Sequence, residues 1–338
     1  MAELITQRAN ELATLALFAD CFGADLYGLA LLLEPIRLRA GDVLMRQGEQ
    51  ADSFYVIAEG DVAIRHENDD GSITELTVPF GQIVGEIALL RNSARVATVV
   101  ATTDVRGWRG GDEAFGELVG LPGVLRNLVR LARQRLAAFI TPVPIRLKDA
   151  HDLLLRPVLP GDSERTSRGH VEFSAETVYR RFMSVRKPNK ALMDYLFQVD
   201  YVDHFVWVIT DPSSPDPESR EDVIADARYI RDPAKPTSAE VAFIVADAYQ
   251  GHGIGSFLMK ALAVAAQEGG VEEFTASVLS ENLAMRRIFD HFGASWERED
   301  LGVVMTVIKV PDTERIRLPK KLIEQIAVSA RQVLRAVG

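Results

Sequence analysis

Residues 239–256 read A-E-V-A-F-I-V-A-D-A-Y-Q-G-H-G-I-G-S, and this stretch decides how the carboxyl-terminal half of the chain folds. The apolar, β-branched run from Val241 to Ala246 predicts a strand. Phe257, Leu258, Ala261, Leu262 and Val264 then recur at helical spacing, so Gln250-Gly251-His252-Gly253-Ile254-Gly255 is a glycine turn between strand and helix. Alternating glycines let a ligand approach the backbone, and the amides opening a helix converge on an anion that the helix dipole also favours. The expected ligand carries a phosphate or pyrophosphate. The turn has no Lys-Ser/Thr ending, which disfavours a nucleotide-hydrolysing loop, and it lacks the third glycine spacing of a dinucleotide fold.

The form Q-x-x-G-x-G after an apolar strand resembles the acetyl-CoA turn of the GCN5-related N-acetyltransferases. Downstream, Asn282, Met285, Ile288, Phe289 and Gly293 fit that family's N-x-x-A-x-x-L-Y-x-x-x-G pattern at its spacing. Two motifs in the right order carry the resemblance.

The 338 residues allow two domains of ordinary size, and 47% apolar with 25% charged residues is average for a globular chain. Met1 to Leu12 lacks the apolar core of a signal peptide, and no run approaches the roughly 18 apolar residues of a membrane span. The expectation is a cytoplasmic protein without a membrane partner. Cys21 is the one cysteine, which leaves no intrachain disulfide and no thiolate metal cluster; set among Leu17, Phe18 and Phe22, it reads as a buried thiol. No metal is expected. A formal net charge of −10 repels a phosphate backbone and argues against nucleic-acid binding.

In the amino-terminal half, short strand-like runs are separated by Gly41-Asp42, Gly48-Glu49 and Gly60-Asp61. Even spacing of this kind predicts an antiparallel barrel or jelly roll. The stretch Gly85-Glu86-Ile87-Ala88-Leu89-Leu90, a four-residue gap, then Arg95-Val96-Ala97-Thr98 resembles the phosphate-binding cassette of cyclic-nucleotide-binding domains, over about residues 15 to 140. The resemblance implies amide donors from Gly85, Glu86, Ile87 and Ala88, a cation for the cyclic phosphate in Arg95, and a ribose 2′-hydroxyl acceptor in Glu86. In that family a threonine directly after the arginine favours cyclic GMP; Val96 stands there, which implies cyclic AMP. After Asp112 one long helix is expected, with Arg126, Arg130, Arg133 and Arg135 among its leucines; none is assigned to the purine.

Thr141-Pro142-Val143-Pro144 breaks that helix. The expected division is a regulatory domain over 1–142, a linker over 143–151, a mixed α/β acetyltransferase domain over 152–311 and an amphipathic helix over 312–338. No recognition helix follows the sensor. Strands are expected at Phe205–Thr210, Asp222–Arg231, Glu272–Leu279 and Val303–Val310.

Acetyl transfer to a lysine needs the amine neutral, although its free pKa is about 10.4, and a carboxylate within one water can take the proton as a general base. Glu240, in the frame A-E-V-x-F, resembles the base of GCN5-like protein acetyltransferases. The resemblance implies that backbone groups at Ile244 and Val245 pair with pantetheine and polarise the thioester carbonyl. It further implies that Gln250, Gly251, Gly253, Ile254 and Gly255 cradle the pyrophosphate and that Asn282 holds the arm. One departure stands out: the tyrosine that often protonates the leaving thiolate is Phe289.

A cyclic-nucleotide sensor followed by an acetyltransferase is similar to the mycobacterial cyclic-AMP-regulated protein lysine acetyltransferases. That similarity implies acetyl-CoA as cosubstrate, cyclic AMP as effector, and lysines of acyl-CoA synthetases and a universal stress protein as acceptors. The polar stretch Glu164 to Ser174 is expected to form a lid whose His170 enters the lysine site near Glu240 without effector. A small-amine acetyltransferase and a non-enzymatic sensor of CoA and cyclic AMP remain alternatives. The helix after Asp112 lacks a clean heptad, so a monomer is expected.

Overall fold

A computed structural model of the chain describes residues 2–68, 71–146, 152–159, 162, 172–184, 192, 196, 199–213 and 221–336. They fall into two compact units, one within Met1–Phe139 and one within Ile140–Ala336.

The first unit opens with helices α1 (Ala2–Leu12) and α2 (Tyr27–Leu32) and continues through β1 (Glu34–Leu38), β2 (Val43–Met45), β3 (Ser53–Glu59), β4 (Val62–Glu67), β5 (Ile73–Val78) and β6 (Ile83–Val84). The short helix α3 (Glu86–Leu90), β7 (Thr98–Ala101), β8 (Val105–Gly111), α4 (Asp112–Gly120) and α5 (Val124–Ala138) complete it. Its strands form two four-stranded antiparallel sheets, β1-β8-β3-β6 and β2-β7-β4-β5. This is the jelly-roll arrangement that the glycine spacing predicts. Gly60 shows why the turns need glycine: at φ 81° its added Cβ would lie 2.1 Å from the Asp104 carbonyl oxygen. Ile57, Val62, Val84, Val99 and Val105 fill one core. A second core sets Leu12, Phe18, Leu26 and Leu29 against Phe54, Trp108, Leu118 and Leu128, so the amino-terminal helices are part of this fold.

The single long helix expected after Asp112 is two. Pro122 cannot donate to a helical ladder, and Gly123 at φ 72° interrupts the right-handed helical backbone before α5 begins.

The second unit is built on one eight-stranded sheet. In chain order its elements are β9 (Val143–Arg146), β10 (Asp152–Pro157), α6 (Ala175–Phe182), β11 (His204–Asp211), β12 (Asp222–Asp232), β13 (Lys235–Val245), α7 (Ile254–Gly269), β14 (Glu273–Leu279), α8 (Leu283–Asp290), β15 (Trp296–Asp300), β16 (Val303–Lys309) and α9 (Lys320–Leu334). The strand order is β15-β16-β14-β13-β12-β11-β10-β9. Where the sequence suggests linker from residue 143, Val143–Arg146 is instead the outermost strand, paired with β10. An edge strand tolerates Pro144, whose missing N–H can face away from the ladder.

All neighbouring strands run antiparallel except β13 and β14, joined by the α7 crossover. Helix α7 is buried from Phe257 through Ala266 apart from Lys260, and the Trp207 indole N–H donates to its Ala261 carbonyl at 3.1 Å. The amphipathic face of α9 is spent on α7: Ile326, Ala330 and Val333 are buried, and Arg331 forks onto the two Glu268 oxygens at 2.9 Å each. No described helix is long and apolar enough to cross a membrane.

Candidate active site and effector pocket

The geometry of the second unit turns on where β13 and β14 part. They pair in parallel register at Ser238↔Glu273, Ala239↔Phe274 and Glu240↔Thr275, and the pairing ends there. On its other edge β13 stays paired with β12 through Ala225↔Val245. Beyond Glu240 the β14-facing edge of β13 therefore presents backbone groups that no strand satisfies, a template for an extended ligand. The gap is a cleft of about 640 Å³.

Every residue expected at the acyl-donor site lines this cleft. Glu240 stands exposed at the point of separation; Ile244 and Val245 lie along the open edge; Gln250, Gly251, Gly253, Ile254 and Gly255 form the turn; Asn282 faces them from the start of α8. Gly251 and Gly253 have φ of 83° and 88°, which leaves the amides opening α7 uncovered by side chains. Two of these residues also hold structure. The Gln250 side chain donates to the Val245 carbonyl and to Thr177 Oγ1, both at 3.0 Å. Asn282 Oδ1 caps α8 by accepting from Met285 N at 3.2 Å.

Helix α6 lies along β13, an element the sequence did not assign to the site. Its first turn is clamped by Asp247, which accepts from Ser174 N (2.6 Å), Ser174 Oγ (2.9 Å) and Thr177 Oγ1 (2.8 Å). The Asp247 carboxyl lies below its ordinary pKa: its burial opposes that fall, and these hydrogen bonds outweigh it. The last turn of α6 brings Arg180, Arg181 and Met183 into the cleft wall. Burial pulls the Arg181 guanidinium down to about 10, Arg228 adds to the fall, and Asp226 and Glu240 oppose it. Arg181 is thus a cation at neutral pH beside the expected base. His170 and residues 163–171 of the expected lid lie outside the described residues.

In the first unit, Gly85, Glu86, Ile87, Ala88, Arg95 and Val96 all line one small cavity of about 30 Å³. Gly85 caps α3 at φ 90°, and a Cβ there would meet Met45 Cε at 2.9 Å and Arg95 Nη1 at 3.0 Å. Arg95 is 4% exposed. It donates to the Gly85 carbonyl at 2.9 Å and the Ser53 carbonyl at 2.7 Å, Asp52 stands 3.6 Å away, and its Nε is buried without a partner. Burial lowers its pKa. A buried guanidinium so thinly compensated is a site for an anion.

Two residues missed in the sequence complete this pocket. Arg135 of α5 donates to Glu86 Oε1 at 2.7 Å, the Ile83 carbonyl at 2.6 Å and Gln82 Oε1 at 2.9 Å. Phe139, just past α5, stacks on His66 at 4.6 Å between ring centres. With both in the lining, the cavity holds about one water, an order of magnitude less than pockets that bury a small ligand. The helix pattern held four arginines at similar spacing, and nothing local singled out Arg135.

Comparison with known proteins fits both geometries. The cyclic nucleotide-binding domain model matches residues 35–120, and the acetyltransferase (GNAT) domain model matches residues 144–295. Acetyltransferase Pat of Mycolicibacterium smegmatis is 52% identical over 338 residues, covering 100% of both chains. The solved structure of a cAMP-binding acyltransferase from Mycobacterium smegmatis, 48% identical, covers 100% of each chain with a TM-score of 0.53. The cAMP-dependent protein kinase regulatory subunit of Dictyostelium discoideum is 32% identical over 148 residues, 39% of this chain and 44% of that protein. The chain belongs to the Pat family of acyltransferases, in which a cyclic-nucleotide-binding domain precedes a GNAT domain.

Proposed function

We propose that this acyltransferase moves acetyl from acetyl-CoA to lysine side chains of other proteins under the control of cyclic AMP, as a cytoplasmic monomer. Acyl-CoA synthetases and a universal stress protein are the acceptors that the family resemblance implies. The observation that carries the reading is the parting of β13 and β14 after Glu240, which sets a carboxylate, an unpaired strand edge and the anion turn in one cleft.

The pantetheine arm pairs with the β13 edge at Ile244 and Val245. An amide there donates to the thioester oxygen, where charge develops in the tetrahedral adduct. The Gln250–Gly255 turn takes the pyrophosphate on its amides. Exposed Glu240 accepts the amine proton through water, which lets a neutral lysine attack. In the sensor, Arg95 meets the cyclic phosphate and Glu86, which Arg135 holds while the pocket is empty, accepts from the ribose 2′-hydroxyl. Because Arg135 and Phe139 fill most of the pocket, the end of α5 must withdraw to admit the nucleotide, and this supplies the second state that regulation requires.

The test is acetyl-lysine formation in a deacetylated cytosolic extract with no nucleotide, cyclic AMP or cyclic GMP. Labelling that rises with cyclic AMP alone and falls about 100-fold or more in Glu240→Gln supports the reading. Equal labelling in all three removes the switch. Labelling of free amines but of no protein removes the protein acceptor.

A further inference from the structure

Phe289 occupies the position where the acetyltransferase pattern often carries a proton-donating tyrosine, and the structure seals its ring away. It is 1% exposed and packs edge-on against Phe243 and Trp296, with ring centres 6.2 and 5.9 Å apart. Another group must meet the charge that develops on the departing sulfur. The hydroxyls of the cleft narrow the choice. Thr177 donates to Asp247 and Tyr249 donates to Asp211 at 2.7 Å, while Ser256 lies in the first turn of α7, at the phosphate end. Ser277 is left, half-buried on β14 in the cleft wall, and its side chain makes no hydrogen bond among the described residues.

Sheet register fixes its place. Glu240 pairs with Thr275, and partners in register point to one face, so Ser277, two residues on, repeats that face. It stands about 7 Å further along the sheet than Glu240, two strand residues at about 3.3 Å each. That level lies across the gap from Ala242, between the base and the carbonyl-polarising amide at Ile244. Amine, carbonyl carbon and sulfur meet there.

We propose that Ser277 is a catalytic residue of the acyl transfer, its hydroxyl donating a hydrogen bond to the sulfur as the carbon–sulfur bond breaks. This rests on the acyl-CoA reading of the cleft. The amine nitrogen forms a bond to the thioester carbon and yields a proton through water to Glu240. As the adduct collapses, the carbon–sulfur bond breaks and its electron pair stays on sulfur. Ser277, a weaker acid than a thiol, keeps its proton and stabilises the thiolate, which solvent protonates later. A donor aimed at charge that appears only in the transition state acts on kcat rather than on substrate binding.

The test titrates the thiol of CoA bound to the full chain, read by thiolate ultraviolet absorbance, in the unchanged protein, Ser277→Ala and Ser277→Thr. Glu240 from β13, Arg180 and Arg181 from α6, Tyr249 before the turn, Lys260 from α7, Arg287 from α8 and His291 just past it also line the cleft. All are common to the three proteins, so the difference isolates the hydroxyl. The unchanged protein is expected to hold the thiol below the pKa of free CoA titrated alongside, and Ala to raise it by about one pH unit. Affinity for CoA well below that pH stays the same. With acetyl-CoA, Ala is expected to lower kcat about 10- to 100-fold with KM unchanged, and Thr to restore most of it. An unmoved titration in Ala, or equal losses of CoA affinity in Ala and Thr at every pH, overturns the proposal. Failure of the unchanged chain to bind CoA would overturn the acyl-CoA reading itself, and the proposal with it.

Discussion

Arg135 and Glu86 form a buried ion pair whose cost when broken can be worked from their surroundings. Their side chains are 6% and 1% exposed and 2.7 Å apart. Arg135→Met leaves Glu86 as a buried charge without its cation, a change that costs roughly 3–5 kcal/mol. For a unit of this size that is about 10–25 °C in Tm. The Arg135→Met/Glu86→Gln pair removes the charge as well as the cation and should lie within about 2 kcal/mol of the unchanged chain, because a buried pair replaced whole is often nearly neutral. The assay is calorimetry of the full chain, following the transition that cyclic AMP moves. Single and double variants with equal Tm would refute the ion-pair account.

His204, buried at the start of β11, has its pKa pulled to about 4 by burial and then by Arg228, with Asp200 and Asp226 opposing and Arg181 adding to the fall. The unfolded chain takes up a proton there below about 6.5 while the folded one does not, so stability falls as pH drops from 6.5 towards 4, by roughly 3 kcal/mol in all. Urea midpoints at pH 7 and 5 should differ more in the unchanged chain than in His204→Gln. Gly253→Ala meets nothing within 4 Å and suffers only the cost of its φ of 88°, about 1–2 kcal/mol, so the fold survives and KM for acetyl-CoA rises about tenfold. Gly85→Ala adds collision with Met45 and Arg95 to the same strain, and calorimetric binding should show cyclic AMP affinity lost outright. Asp247→Ala releases the Ser174–Thr177 clamp; limited proteolysis should then cut ahead of α6, and acetyl-CoA should not restore full protection.

The parts legible in the sequence are those whose partners lie close along the chain. Arg95 reaches Gly85 across ten residues, and the glycine turn follows its own strand, so pattern alone found both. Arg135 acts on a residue 49 positions away, and Asp247 clamps Thr177 from 70 positions away; pairings that distant depend on the folded register and leave no periodic trace. The same holds for Glu240. Its residue type suggested a base, but its exposure at the mouth of the cleft follows from β14 separating after Thr275, which no local pattern encodes. Gln250 shows the converse. Its motif position marks the turn, yet its side chain is occupied in tying that turn to Val245 and Thr177, so the proposed anion contact falls to the backbone.

Both ligand sites begin with a glycine of nearly equal φ ahead of a helix, Gly85 at 90° and Gly253 at 88°, and they differ in what surrounds it. Gly85 is walled in by Met45, Ser53 and a buried arginine, so the anion it admits must be small and must bring enough charge to offset Arg95. A compact cyclic phosphate suits that site. Gly253 faces open space within 4 Å, so the turn can hold one phosphate pair of a long ligand while the rest runs on along β13. Crowding thus separates the proposed sensing site from the proposed acyl-transfer site, although the backbone device is the same. A switch needs a large difference between its empty and filled states; a turnover site needs a donor that leaves as readily as it arrives.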